Sequence, residues 1–358
     1  MVRAHPSQTA RRMGHPQAHL VVLADRVHRL KPVLLGMMGT FWVGNAFLVI
    51  GRAVRSVTRT VREMKRAATV RVHGWAGAAL SGIALMGLGL VVPSVVRAEE
   101  VTKTFTVTGH ARVSVQTDDG AVRVSTGDIK QVEVRVVYSG YKLDRDLRVS
   151  TSQNGDSVEV TAKTGSGSWL NFSVRHTSLR VEVHMPKDAD LDVTTGDGSV
   201  EADSINGNLN VRTGDGHITV QGAKGAIKLH TGDGHIEGRD LDGRADITTG
   251  DGHVNVEGRF DALLIKTGDG SVTARAARGS TVGSPWNIHT GDGSVDLDLP
   301  GELQANLDAS THDGRISLGI PVMVEGTFSS TKIFGKMNGG GQPIVVRTGD
   351  GSIHLNKV

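Results

Sequence analysis

From Leu191 to Lys266 aliphatic residues alternate with polar ones in short runs, and each run is cut by a glycine: Val200-Glu201-Ala202-Asp203, Leu209-Asn210-Val211-Arg212, Ile218-Thr219-Val220-Gln221, Ile227-Lys228-Leu229-His230. Alternation at period two predicts half-buried strands. A helix would need apolar residues at i, i+3 and i+4 and would not tolerate a glycine at almost every break. The aliphatic members also align with one another. Val200, Ile218, Ile236, Val254, Val272 and Val295 form one column, Leu209, Ile227, Ala245 and Leu263 a second, and Val211, Leu229, Ile247 and Ile265 a third.

What sets this alignment is a repeated tetrapeptide. Thr-Gly-Asp-Gly starts at Thr195, Thr213, Thr231, Thr249, Thr267, Thr290 and Thr348, with the variant Thr311-His312-Asp313-Gly314, and the first five copies are spaced by 18 residues. A fixed period means stacked units that bury their apolar faces against their neighbours. The expectation is therefore an all-β, single-stranded β-solenoid (β-helix or β-roll-like) with about 18 residues and two short strands per coil, stepping about 4.8 Å per coil. The corner glycines would supply φ > 0 backbone. Later spacings lengthen: Asp269 to Asp292 is 23 residues, Asp292 to Asp313 is 21, and Asp313 to Asp350 is 37, which suggests two coils with one motif lost. The extra residues should form loops near Gly279–Pro285 and Gly335–Gly341, on what is often the binding face of a repeat protein. Trp286 and Phe334 lie beside them, as ligand contacts or as core caps. Residues 99–190 alternate without the regular motif and read as an irregular β cap with the first coils, with Trp169 in a loop; residues 191–358 are the regular solenoid.

The front of the chain has a different character. Trp75–Val96 is an apolar run preceded by Lys65, Arg66 and Arg71 and followed by Val96-Arg97-Ala98, the order of parts in a secretory signal peptide. Residues 64–98 are thus expected to be a helical leader, cleaved or retained as a membrane anchor, with 1–63 an upstream extension, or a cytoplasmic or membrane leader through Val33–Ile50. Either way the β-domain is expected to be exported: to the periplasm, the cell surface or the medium. Charge divides at the same place. Residues 1–98 hold 14 Lys and Arg and 2 acids, so of 40 basic and 37 acidic residues in the chain, 26 and 35 remain in 99–358, a net of −9. Nucleic-acid binding needs a basic footprint, which this part lacks, and membrane contact falls to the leader alone. The chain has no cysteine, which excludes disulfides and thiol chemistry.

The order of parts resembles the bacterial putative adhesin family over essentially all of 99–358. The residues that carry the resemblance are the opening strand Thr104–Thr108, the unit Thr117-Asp118-Asp119-Gly120-Ala121-Val122-Arg123-Val124, the passage Val181–Val200 and the Thr-Gly-Asp-Gly corners. The resemblance implies an exported β-strand-repeat domain of unknown biochemical function and brings no catalytic residues.

Stacking would place Asp197, Asp215, Asp233, Asp251, Asp269 and Asp292 in one row. Such a row needs hydrogen bonds from turn amides or bound cations, of which Ca²⁺ suits oxygen ligands. Calcium-binding β-rolls place Asp at the sixth position of each nine-residue half, whereas here it is third in one half only, so no cofactor is expected. His217, His235 and His253 form a second column and Thr213, Thr231 and Thr249 a third, both expected at the surface. The carboxylate spacing repeats at every coil, so it does not mark a glycosidase pair, and no unique cluster argues for an enzyme acting on polysaccharide. The expectation is a non-catalytic envelope module that binds a periodic partner, a polysaccharide or protein surface. The alternative is a structural protein that self-associates through an end coil near Ser352–Val358.

Overall fold

The computed structural model describes residues 98–165, 177–325 and 329–358. The expected leader helix and cleavage site and Trp169 lie outside these residues. The described residues are all-β, with no helix, and their sheet winds into a solenoid-like shape.

Two parallel ladders form the walls. In one, Val200–Asp203 pairs with Ile218–Gln221, which pairs in turn with Ile236–Arg239, and the stack continues through Val254 to Val272. In the other, Leu191, Leu209, Ile227, Ala245 and Leu263 stand in register. The partners along these ladders are the residues one repeat apart in sequence, and all three aliphatic columns are buried between the walls. Each fully buried aliphatic side chain contributes about 1.5–3 kcal/mol, so the continuous column is the main source of cohesion in a fold without disulfides. The strands expected in 99–190 are present, joined by Leu147–Asn154, which pairs antiparallel with Ser157–Thr164. Leu147–Asn154 has only two inward-facing apolar side chains, Leu147 and Val149, which is why alternation did not reveal it.

The chain does not stack in sequence order at either end. Ala121–Gly127 lies between Ser178–Pro186 and Val200–Asp203. At the other end, Ile353–Leu355 lies between Val295–Leu297 and Ile316–Leu318, while Ile344–Val346 lies between Trp286–Ile288 and Leu307–Ala309. The expectation of an exposed end coil at Ser352–Val358 is therefore corrected. This last stretch of chain is an inserted coil, paired on both edges, with Ile344, Val346, Ile353 and Leu355 buried. It fits because its corner, Thr348 to Gly351, repeats the corner chemistry of the coils above and below. The 37-residue interval also has an explanation other than a lost motif. Lys332–Met337 runs antiparallel along Ala305–Ser310, and Met323–Val324 pairs outside it. The loop expected over Gly335–Gly341 is consequently confined to the residues after Met337.

Candidate binding surfaces

The Thr-Gly-Asp-Gly corner explains itself from the hydroxyl outward. Each threonine is buried, which corrects the expectation that Thr213, Thr231 and Thr249 face a partner. Thr213 Oγ1 lies 2.8 Å from Gly196 O and 3.1 Å from Gly198 O, and accepts the amide of Gly216 at 3.2 Å. Thr231 repeats this with Gly214, Gly216 and Gly234. The hydroxyl thus ties each corner to the coil before it. The first glycine of each corner also donates its amide to the first glycine of the preceding corner, from Gly214 to Gly268 and on to Gly291 and Gly349. None of these corner glycines has φ > 0, contrary to expectation. They are glycines because coils approach closely: a Cβ on Gly234 would overlap the carbonyl of Gly216. Positive φ is needed at the other turn of the coil instead, at Gly225 (φ 120°) and Gly243 (φ 125°).

The aspartates project from this corner into solvent. Stacking order along it is Asp119, Asp197, Asp215, Asp233, Asp251, Asp269, Asp292, Asp350 and Asp313, all exposed. Asp119 belongs to the degenerate corner Thr117-Asp118-Asp119-Gly120 and extends the expected row by one coil, and sequence alone could not order Asp350 before Asp313. The expected hydrogen bonds from turn amides are not made by Asp197, Asp215, Asp233, Asp251, Asp269 or Asp292, whose carboxylates remain solvated. No three His, Asp or Glu side chains among the described residues converge as a metal site.

Beside this ridge the imidazoles of His217, His235 and His253 stack at 5.1 and 5.0 Å. The amide of His235 donates to His217 Nδ1 at 3.1 Å, that of His253 to His235 Nδ1 at 3.0 Å, and Ser271 closes the row on His253 Nδ1. Accepting at Nδ1 leaves each ring its proton on Nε2, which points a donor outward. The histidines are exposed, as expected, but they also fasten successive coils.

Of the three aromatics, Trp286 is in the core at 0% exposure, edge-on to Phe260 with ring centroids 6.3 Å apart. It is a core ring, as its burial within the strand Trp286–His289 requires, and not a surface contact. Phe334 is 45% exposed beside Met323, at 75%.

Outer faces of the walls carry cross-strand charge networks that alternation alone did not pair up. Arg135 bonds Glu100 and lies 3.5 Å from Glu182, and Arg123 bonds Glu201. In a shallow cleft among them Ser125 Oγ sits 3.0 Å from His184 Nδ1. Burial pushes the Asp190 carboxyl up, but the amide of Asn208 and the neighbouring His110 outweigh it and hold it below the ordinary value. Hydrogen bonding from Arg259 lowers Asp261 against a smaller effect of burial.

A groove of about 480 Å³ opens where the repeat breaks, lined by Gly279, Ser280, Thr281, Val282, Glu302, Leu303, Gln304, Gly341 and Gln342. The insertion loop expected at Gly279–Pro285 forms one wall. Of the other wall, Gly341 falls in the second expected loop, while Glu302–Gln304 was not foreseen, because its place depends on the out-of-order coil.

Residues 110–356 match the family described as Toastrack DUF4097. Solved structures similar to this chain include a putative adhesin from Parabacteroides merdae, at 12% identity over 72% of this chain and 96% of that one, TM-score 0.36. A putative adhesin from Bacteroides fragilis matches at 11% identity over 73% and 97%, TM-score 0.35. A putative lipid binding protein from Parabacteroides distasonis matches at 12% over 72% and 96%, TM-score 0.35. The search of curated proteins returns no significant match.

Proposed function

The chain belongs to the Toastrack DUF4097 family, and we propose that it is a non-catalytic module exported to the cell envelope, adhesin-like or scaffolding, that recognises a repetitive partner such as a polysaccharide. One observation carries this reading: exposed carboxylates repeat along one corner at the coil step of about 4.8 Å, from Asp119 to Asp313, flanked by the stacked imidazoles of His217, His235 and His253. Such a surface offers the same weak contact many times, and multivalency converts weak contacts into useful avidity. Export rests on the signal-peptide pattern that ends at Val96-Arg97-Ala98, and the reading requires no cofactor. Its test is retention of the purified chain on immobilised polysaccharides, together with protease accessibility of the domain on intact cells. A chain that no polysaccharide retains, or that stays in the cytoplasm, would sink the proposal.

A second reading, self-association, is favoured by a different place from the one expected. Met323–Val324 is the outermost strand at one end and pairs on one edge only among the described residues, with Met323 and Phe334 exposed beside it. An open edge with apolar side chains is a template for another chain. Oligomers that grow with concentration and vanish in Met323→Lys would support it, and a monomer at all concentrations would exclude it.

A further inference from the structure

We propose that the groove between the Gly279–Val282 loop and the Glu302–Gln304 and Gly341–Gln342 connections binds a short segment of an uncharged or amine-bearing glycan and sets the specificity of the module. The inference rests on the polysaccharide reading above and names the ligand class and the place.

The groove follows from topology. Because Pro343–Thr348 is inserted beside Trp286–His289, the strand Ala305–Thr311 is displaced one level along its wall. Val295–Leu299 keeps its level on the opposite wall. The connection from Leu299 to Ala305 must therefore cross a level that the inserted coil already occupies, and the crossing leaves an open trough against the long loop after Ala276. At the regular coils, by contrast, that turn is closed by the short Gly222–Gly225 type of connection. The volume, about 480 Å³, lies in the usual range for small-ligand sites.

Both walls are fixed in place without a ligand. On one side Ser280 Oγ accepts the Phe260 amide at 3.1 Å and donates to Ala277 O at 2.7 Å, while the amides of Thr281 and Gly283 bond Phe260 O and Asp261 O. On the other, Asn338, in the left-handed region at φ 48°, donates through Nδ2 to Gly301 O at 2.9 Å and Leu303 O at 2.8 Å. A preformed site avoids the ordering entropy that a loose one would lose on binding.

Chemistry of the lining selects the ligand. Gln304 and Gln342 supply amides that both donate and accept, as vicinal hydroxyls do. Thr281 Oγ1 donates to Asp261, which leaves its lone pairs for an incoming donor. Half-buried Val282 gives the apolar surface that a C–H face of a sugar ring covers, and Leu303 beneath the lining belongs to the core. The one charged lining side chain is Glu302. No Lys or Arg is among the lining residues. Arg259, adjacent to Gly279, has its guanidinium engaged by Asp242 and Asp261. The exposed Arg278 and Lys357 stand outside the lining beside Gly279 and Gly301, so the walls themselves offer a uronate, sulfate or phosphate no cation. Glu302 repels such groups and attracts an amine.

The test immobilises β-glucan, mannan, chitosan, pectate and hyaluronate and measures retention of the full chain, of Gln304→Ala/Gln342→Ala, of Glu302→Lys and of Lys103→Gln, an exposed position on Glu99–Thr106 outside both the ridge and the groove. Thermal melts confirm that each variant is folded. The expected result is retention on neutral glycans or chitosan and not on pectate or hyaluronate. The double variant should then weaken retention at least tenfold, while Lys103→Gln changes it less than twofold. Glu302→Lys should lose chitosan selectively. Retention that survives the double variant, or that prefers the acidic polymers, overturns the groove and leaves the polysaccharide reading standing. Retention on none of the polymers removes both.

Discussion

Replacing Thr231 by valine separates a threonine column that holds coils together from one that meets a partner. Thr231 is fully buried, and its Oγ1 lies 3.1 Å from Gly214 O and 3.0 Å from Gly216 O while accepting the Gly234 amide at 3.2 Å. Valine has nearly the same shape, so packing is retained and only the polar group is lost. One net hydrogen bond is worth about 0.5–1.5 kcal/mol, and a buried carbonyl or amide left without a partner costs about 1–3 kcal/mol more. The expected loss is about 2–4 kcal/mol, which at about 2–4 °C per kcal/mol for a domain of this size lowers Tm by roughly 4–16 °C. Thr231→Ser retains the hydroxyl and gives up one methyl, about 0.8 kcal/mol, so it should fall much nearer the parent. The assay is thermal unfolding by circular dichroism, supported by urea midpoints. If valine matched the parent, or if serine were as damaging as valine, the hydroxyl would not be what fastens the corner, and the derivation above would fail.

Other expectations follow from the same contacts. Gly234→Ala should destabilise more than Thr231→Val, because its Cβ would meet the backbone of Gly216 and not a movable side chain; a soluble protein with parental Tm would refute this. Carboxylates one coil apart repel by roughly 1 kcal/mol in bulk water, less in salt, so Asp233→Asn should raise Tm at low ionic strength and lose that advantage at 1 M salt. His235→Phe maintains stacking but removes the acceptor for the His253 amide, a loss of about 1 kcal/mol, whereas unchanged stability would make the imidazole row incidental. Arg259 lowers the Asp261 carboxyl below its ordinary 3.8, so the stability Asp261 contributes is complete above that value and is lost as pH falls through the lower folded one. Melting between pH 5 and pH 2 should therefore decline less steeply in Asp261→Asn than in the parent.

The repeat made the walls legible because burial and pairing were both encoded at one period. Ile218, Ile236 and Val254 are inward, buried and in register because a slip of one residue would turn each aliphatic outward. The same regularity misled at the corner. Thr213, Thr231 and Thr249 repeat as faithfully as Asp215, Asp233 and Asp251, and nothing in a linear pattern tells a buried hydroxyl from an exposed carboxylate. Hydrogen-bonding capacity does distinguish them. A threonine needs one donor and one acceptor and finds the acceptor in the neighbouring corner and the donor in its own, while a carboxylate offers no proton for those carbonyls and must remain in water.

The end coils were not legible for a different reason. Every Thr-Gly-Asp-Gly coil presents the same corner to its neighbours, so local chemistry permits any order of stacking, and sequence order is only the order with the shortest connections. What breaks the tie at the carboxyl end is the hairpin of Met323–Val324 and Lys332–Met337. It covers the outer edge of Ala305–Ser310 and leaves the inner edge to Pro343–Thr348. The final strand, Ile353–Lys357, then takes the place between Val295–Leu299 and Ile316–Leu318. A chain that ended at Ser317 would satisfy the periodic pattern equally well yet would leave Trp286–His289 and Val295–Leu299 without these partners. The periodic part of the sequence thus builds the walls and the ridge, and the aperiodic part determines where the walls part to form a groove.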